Sequence, residues 1–552
     1  MNAKVLGING GHDSSVTFID KNGQVRIFEY ERFVKIRYAN LPTNTPEESY
    51  VLDEENAIKF LNYVKSQLKE EIEIIAYSEL QIYVIDILKK IFPKSDFYRM
   101  GHHMSHCSGA CFQSGFEKSL VISIDGGGLD YEYQGELCLR SYSIYKFENK
   151  KFDTITHTNA EGPNKFIFDP GVYGVFGYYV SEIKNEVYPD GNSHKYGLSY
   201  AGKLMGLSAY GNVREEWIDP IENYYMNHPY AVWHDFDILA KKFSDEIGIE
   251  LSENCLSGQD SYDLAATNQH VFENICFSFI KKYIDEYNLD VVFSGGCALN
   301  VLFNQKLKEY LDQRGLNLYI PPYPNDCGLS FGHFCSVQNE FHDPSPYCGI
   351  DIMDRDKLFD YYQQYNEQNK VQICTVERIV ELIKDGKIGG IIQGYSEVGP
   401  RALGNRSIIC DPSIKDMKDI INSKVKFREW FRPFAPVCRE EDSYLYFENA
   451  YPSEYMSFAP KVKEEYKKLL PSITHEDGTA RLQTVTKFQH SLFYDILTLL
   501  KERGEIAVIM NTSFNIRGNP ILTTIEDAFI VLETTELDFI IVENLLFVKE
   551  LK

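Results

Sequence analysis

None of the 12 cysteines, scattered from Cys107 to Cys438, stands in a Cys-x-x-Cys pair, which excludes zinc ribbons and thioredoxin-type redox motifs. Their scatter is that of reduced, structural thiols in a cytosolic protein. No stretch comes near the roughly 18–20 consecutive apolar residues that a membrane span takes. The amino terminus runs from Lys4–Ile8 into Asn9-Gly10-Gly11, a strand entering a turn and not a basic stretch before a secretory core. The expected location is cytoplasmic, with no membrane partner. A basic excess is missing as well: Lys and Arg number 56 against 80 Asp and Glu, a net charge of −24, so general affinity for nucleic acid or anionic lipid is not expected. Short repeats and low-complexity tracts are absent. What is present is a 552-residue chain that is 44% apolar and 14% aromatic, too apolar for a disordered protein. At about 100–200 residues per domain it makes roughly three to five domains or subdomains.

Short β-rich runs ending in glycine or Asp-Gly turns dominate residues 1–345: Val5–Ile8, Val16–Ile19, Ser119–Ile124, Val291–Phe293 and Leu318–Ile320. Helical periodicity fills the intervals, as in Glu55–Leu68 and Gln269–Tyr287, so the region reads as α/β. After His342-Asp343-Pro344-Ser345-Pro346 few apolar positions recur periodically up to residue 356, and 346–356 is expected to be a linker. A second α/β region, 357–552, follows with a helix at Thr375–Asp385 and strands at Ile388–Gln393, Ala507–Met510 and Phe539–Val542.

Two kinds of candidate chemistry stand out. His102 and His106, in His102-His103-Met104-Ser105-His106, are four apart, which on a helix puts both imidazoles on one face, as a divalent cation requires. The strand ending in Asp125-Gly126-Gly127-Gly128 offers a carboxylate and glycines that let backbone amides approach phosphate. Asn9–Ser15, with His12 and Asp13, reads as a donor-rich hairpin turn. Gly295-Gly296, before Asn300, passes from strand to helix where free amides favour an anion, and Asp326 adds a second carboxylate. The other signal is a basic run in an acidic chain. From Arg401 to Arg439 nine Lys or Arg stand against four Asp or Glu, with Arg401, Arg428 and Arg432 set among Trp430, Phe431, Pro433 and Phe434. Such surroundings fix guanidinium forks for bidentate contacts to phosphate. Lys203 is either a phosphate contact or a solvated helix residue.

The ordered blocks GHDSS (11–15), ERF (31–33), HHMSH (102–106), SIDGGG (123–128), GKLMGLSAYG (202–211), FSGGCALN (293–300), PPYPNDCGLS (321–330), GYSEVGPRALGNRSIICDP (394–412), KFREWFRPFAPV (426–437), THEDGTARLQTV (474–485) and NTSFNIRGNPI (511–521) resemble the NodU/TobZ-type carbamoyltransferases over nearly the whole chain. The resemblance implies an actin/Hsp70-like (ASKHA, Kae1-like) two-lobed domain at 1–345 and a YrdC-like α/β domain at 357–552. It implies one divalent metal, Fe(II) by family habit, on His102, His106, Asp125 and Asp326, although that ligand set also suits Zn(II) or Mn(II). Gly126, Gly127, Gly128, Lys203, Gly295, Gly296 and Asn300 would surround nucleotide. Lys426 and Arg428 match a K-x-R motif, Ser513 and Asn515 an S-x-N motif; with Arg401, Arg432, Arg481, Asn511 and Arg517 they would hold ATP, its Mg2+ and carbamoyl phosphate. His475 is given no catalytic role.

The implied reaction makes carbamoyl adenylate in the C-terminal domain and transfers the carbamoyl group to an acceptor hydroxyl in the N-terminal one, with His12, beside Asp13, taking the hydroxyl proton. In residues 29–37 the chain departs from the usual run, with Tyr30 where a carboxylate is common and Arg37 where a lysine is common; a phosphate contact by Arg37 is left open. The stretch between Leu129 and His194, with Tyr173–Tyr179, Glu182, Glu186 and Asp190, is expected to shape the acceptor site. A small natural-product or sugar-type acceptor is favoured over a hydroxymethylated DNA base, tRNA threonylcarbamoylation or a non-catalytic nucleotide-binding regulator. The assembly state, monomer or homodimer, is not legible.

Overall fold

The computed structural model describes residues 4–41, 53–80, 82–133, 136–158, 168–184, 198–227, 236–249 and 255–549. The chain forms two compact units, Met1–Val25 with Tyr38–Asp343, and Arg26–Arg37 with Pro344–Lys552. Both are mixed α/β. Among the described residues no helix is long and apolar enough to cross a membrane.

In the first unit, Val5–Asn9 is buried at every position, as befits a strand paired on both sides. It runs antiparallel to Ser15–Ile19 and parallel to Ile74–Ser78, which continues to Asp96–Arg99. A second sheet follows the order Leu318–Tyr319, Val291–Ser294, Lys118–Tyr133, Glu136–Glu148, Lys151–His157. Asp125-Gly126-Gly127-Gly128 was expected to end its strand; instead the strand runs on to Tyr133, with a register shift between Ile124 and Gly128. The glycines mark a bulge, which bends the strand and re-aims Asp125. The helix expected from Gln269 begins at Gln259. Its first turns are rich in polar residues, yet Asp263, Thr267 and Asn268 are buried on partners: Asn212 N (2.8 Å), Arg214 N (3.0 Å) and the Tyr225 hydroxyl (2.8 Å).

The second unit is built on an eight-stranded sheet ordered Val371–Ile373, Leu545–Val548, Phe539–Val542, Gly389–Ile392, Arg406–Cys410, Ile509–Ser513, Ala435–Arg439, Gln483–Val485. Successive residues alternate between two apolar cores. Ile392, Ile408, Ile540 and Phe547 enter one, while Ile391, Ile409, Ile541 and Leu546 enter the other, so both faces are covered. The strand expected at Ala507–Met510 lies at Ile509–Ser513, because its polar end, Asn511-Thr512-Ser513, is ladder-paired. Segment 346–356 is no free linker: Cys348, Ile350 and Ile352 are buried, Cys348 O accepts from Ile27 N, and Met353 N donates to Thr523 O, both at 3.0 Å.

The segment Arg26–Arg37, early in the chain, is part of this second unit. Its Arg32 is buried, paired with Glu29 (Nε–Oε2 2.8 Å), and donates to the carbonyls of Glu397 and Gly399 (2.7 Å to the latter). Glu397, 0% exposed, accepts through one oxygen from the amides of Leu403, Gly404, Asn405 and Arg406 at 2.7–3.2 Å. A buried carboxylate surrounded by amides is an internal anion around which residues 397–406 wrap. Deleting either Glu397 or Arg32 would strand buried polar partners, a loss of about 3–5 kcal/mol for a buried ion.

Candidate functional site

In the first unit, helix His102–Ser114 starts after Gly101 and is buried along almost its whole length. Its i, i+4 spacing brings His102 Nε2 and His106 Nε2 to 3.2 Å. Asp125 Oδ2 lies 3.4 Å from His106 Nε2, and Asp326 Oδ1 lies 3.4 Å from His106 Nε2 and 3.6 Å from His102 Nε2. One donor atom from each of these four buried residues falls within 4.8 Å of the others. Ligands at about 2.0–2.2 Å from one cation stand roughly 3.0–3.6 Å apart, so this set fits a divalent metal. The glycines serve this centre. A Cβ on Gly128 would sit 2.1 Å from the His102 ring, and at Gly295 (φ 89°) a Cβ would meet Ile124 O at 2.3 Å. Asp125 is aimed by amides, accepting from Gly296 N (2.5 Å) and Gly127 N (3.2 Å).

His12 joins from the hairpin turn: Nε2 is 3.4 Å from Asp326 Oδ2 and Nδ1 is 3.1 Å from Asp13 Oδ2. Asp13 adopts a left-handed backbone (φ 55°), which Asp tolerates better than most residues. Burial opposes charging His106, but Asp125 and Asp326 outweigh it and raise its pKa to about 9. His102 moves the same way against burial, through Asp326 and Glu79. For His12 burial is again opposed and outweighed, by Asp326 and Asp13; its side chain is 39% exposed, so solvent moderates the effect. A cation entering this centre must displace protons from the imidazoles. Its affinity is therefore expected to fall about tenfold or more per unit as pH drops from about 8 to 6, measured by competition with a chromophoric chelator; a flat profile would refute the coupling.

The second unit holds the other centre. Lys426, 3% exposed, donates to Ser513 O (2.5 Å), Ser513 Oγ (3.1 Å) and Asn515 Oδ1. Thus the K-x-R and S-x-N segments meet in space. Arg428 is held by Asn422 Oδ1 (2.7 Å) and lies 4.6 Å over the Phe434 ring. Burial, then Arg428, Arg432 and Arg37, push the Lys426 pKa well below its usual value. Burial, then Arg401, Arg428 and Arg432, do the same to Arg481, and Arg401 falls to about 10 through burial and Arg432. Like charges crowded in a half-buried pocket lower one another's pKa, and the carboxylate beside them, Glu429 at 3.6 Å from Arg432, offsets Arg428 only in part. Arg37 belongs to this group by proximity to Lys426 and Arg428, and the Arg517 amide donates to Lys426 O (3.0 Å).

The basic run is not one pocket, however. Arg406 is fully buried on the carbonyls of Gln393 (2.6 Å), Asn405 (2.9 Å) and Gly394 (2.8 Å), and Arg439 pairs with Asp442 (2.5 Å). Both are structural. His475 borders Arg481 and Lys418, and burial together with those cations keeps it neutral down to about pH 4, against the pull of Asp477.

Other expectations change. Lys203 is 2% exposed, near the Tyr200 ring, so it is not a solvated helix residue. Asn300 caps helix Val301–Asp312, accepting from Phe303 N (3.1 Å), and exchanges bonds with Gln269 (3.0 and 3.1 Å); its amide is already engaged. Tyr173, Phe176, Tyr178 and Tyr179 are buried, Phe176 packing on Tyr224, Tyr225 and Phe243, so they build core and not an acceptor surface. Glu186 and Asp190 lie outside the described residues. Sequence reasoning missed His333, fully buried between Ser105 Oγ (2.6 Å) and Ser78 Oγ (2.8 Å), where it ties the histidine-bearing helix to strand Ile74–Ser78. It also missed Glu397, for which the only signal was a lone acid in a glycine-rich loop.

Two centres of opposite character lie in this chain, four metal-competent donors in one unit and a cluster of cations in the other. Residues 59–335 match the carbamoyltransferase N-terminus and residues 380–549 the carbamoyltransferase C-terminus. The chain belongs to the carbamoyltransferase family. It is 31% identical over 468 residues to nodulation protein NolNO of Sinorhizobium fredii, covering 82% of this chain and 64% of that protein, somewhat under two thirds of its length. An uncharacterized protein of Methanocaldococcus jannaschii is 29% identical over 99% of both chains. Full-length HypF in its phosphate- and nucleotide-bound form covers 61% of this chain and 55% of its own at 15% identity and a TM-score of 0.34, a likeness too low to fix a fold.

Proposed function

We propose that the protein is an ATP-dependent O-carbamoyltransferase with a YrdC-like adenylating unit and a Kae1-like, ASKHA-type transfer unit. The observation that carries the reading is the cation pocket around Lys426 in a chain of this family. Carbamoyl phosphate, ATP and water give carbamoyl adenylate, pyrophosphate and phosphate. Carbamate alone is a poor electrophile because its charge is delocalised into the carbonyl; joining it to AMP removes that charge and supplies a leaving group. Lys426, Arg428, Arg401, Arg432, Arg481, Arg517 and Arg37 neutralise the phosphates, with Mg2+ accompanying ATP, and Ser513 and Asn515 fix the Lys426 ammonium. Such fixed charge is the main source of rate in phosphoryl transfer.

In the first unit His102, His106, Asp125 and Asp326 hold one divalent metal, Fe(II) in our reading, and the bound metal would supply Lewis acidity toward the adenylate. Gly126, Gly127, Gly295 and Gly296 present side-chain-free backbone to the nucleotide beside it, while the amides of Gly127 and Gly296 hold Asp125 and that of Gly295 donates to Pro324 O. His12 takes the proton of the acceptor hydroxyl, and Asp13 orients its ring. The acceptor is a small-molecule alcohol, and the enzyme works in the cytoplasm. The test is incubation of metal-loaded protein with ATP and labelled carbamoyl phosphate: carbamoyl adenylate, or its breakdown products with AMP, is expected, and no turnover dependent on both substrates would overturn the proposal.

A further inference from the structure

The basic loop of the second unit is wound around one neutral side chain, Asn422. This residue is 2% exposed and sits in a π-helical turn, Ile421–Val425, closed by Lys426 N donating to Ile421 O (2.8 Å). Turns of this width recur at functional sites. The chain then passes through Phe427 in a left-handed backbone (φ 50°), a conformation strained for a bulky residue and kept only where the surroundings impose it. Asn422 imposes it. Its carbonyl accepts from Arg428 N (2.9 Å), its Oδ1 accepts from Arg428 Nε (2.7 Å), and its Nδ2 donates to Arg432 O (3.1 Å) and Trp430 O (3.3 Å). These partners fix the orientation of the amide, because a flip would set a donor against Nε and a lone pair against two carbonyls. The asparagine of strand Ile509–Ser513 is used otherwise: Asn511 Nδ2 donates to Ala402 O (2.9 Å) and Gln483 Oε1 (2.8 Å).

We infer that Asn422 is a positioning residue of the adenylating pocket, which aims the Arg428 guanidinium at the anionic substrates without neutralising it. The inference rests on the adenylation reading. A carboxylate is the common partner of a guanidinium and cancels its charge. Arg432 has such a neighbour, with Glu429 Oε2 at 3.6 Å. Arg428 donates instead to neutral oxygens, through Nε to Asn422 Oδ1 and through Nη2 to Pro433 O (3.3 Å), while its guanidinium lies 4.6 Å over the Phe434 ring. These anchors set its direction, and the other N–H donors of the fork are left for phosphate oxygens. The bonds from Nδ2 to the carbonyls of Trp430 and Arg432 make the same side chain the brace of the far end of the loop. Displacing Asn422 therefore displaces Arg428 and Arg432 together.

A double-mutant cycle tests this, with carbamoyl adenylate formation by the full-length protein measured on ATP, Mg2+ and labelled carbamoyl phosphate. N422A is expected to lower kcat/KM by about a hundredfold, the loss that a misplacement of about 1 Å brings, and to raise KM for ATP, carbamoyl phosphate or both. In an R428A background the same substitution is expected to cost less than about threefold, since residues that act as one unit are not additive. N422D tests the neutral anchor. Its carboxylate accepts from Nε as well as the amide does, but it neutralises the guanidinium and has no hydrogen for the two carbonyls, so kcat/KM is expected to stay at or below the N422A value. Incomplete folding lowers kcat through the active fraction and leaves KM where it was, so KM separates misfolding from misplacement; N422S serves where N422A folds poorly. Equal losses with and without Arg428, KM values unchanged for both substrates, or wild-type activity in N422D each overturn the assignment. Wild-type protein that forms no carbamoyl adenylate removes the adenylation reading itself, and this role with it, an outcome separate from the others.

Discussion

Lys426→Met is expected to lower carbamoyl adenylate formation by about 10²–10³-fold, the range seen when one preorganised donor is removed from a charge-stabilising site, while the metal content of the protein stays unchanged. Methionine matches the length of the lysine stem, so packing is kept and the loss is that of the ammonium. The ammonium is buried, yet its partners on Ser513 and Asn515 are neutral oxygens. Burial and the neighbouring Arg428, Arg432 and Arg37 all disfavour its charge. A cation kept under those conditions is stabilised when a polyanion arrives, and the phosphates of ATP and carbamoyl phosphate are that polyanion. Adenylate yield measured at saturating substrate separates lost catalysis from lost binding. If K426M formed carbamoyl adenylate at the wild-type rate, the pocket would not be the adenylating site.

The strands and helices nearest the two centres were legible because their apolar periodicity was clean. Val5–Asn9, Phe539–Val542 and the helix after Thr375 lie where expected to within a residue or two. His102 and His106 announced themselves by helical spacing, and the basic run by composition. What the sequence hid depends on partners far along the chain. Arg32 is 365 residues from Glu397, whose carbonyl it grips, and nothing local to residues 26–37 assigns them to the second unit. The same holds for Lys203, which the sequence left as either a phosphate contact or a solvated helix residue and whose burial removes the second, and for Tyr173 to Tyr179, whose aromatic richness suggested a binding surface but which form core. The glycines at 126–128 and 295–296 read as phosphate cradles. Their sharpest constraint is the space that His102 and Ile124 leave for residues 128 and 295, a requirement visible only once the bulge is seen.

Replacing one donor of the metal centre is expected to produce the reverse pattern from Lys426. H106A should fall from about one bound metal to below about a tenth per chain, read by elemental analysis after dialysis against a mild chelator, while carbamoyl adenylate formation stays within about twofold of wild type. His106 is the donor shared most widely, within 3.2–3.4 Å of His102, Asp125 and Asp326. Its loss removes one of four ligands and leaves Asp125 and Asp326 without the imidazole between them. Removing a ligand does more than an outer-sphere change, which typically costs 10–100-fold in affinity. H12A distinguishes the roles within the same centre. His12 is 39% exposed and touches Asp326 from the edge, so H12A should retain metal while losing carbamoyl transfer. Metal loss in H12A equal to that in H106A would make His12 a ligand and remove it as the base. Adenylate formation that collapsed in H106A would place the first chemical step in the first unit, against the division of labour proposed for the two centres.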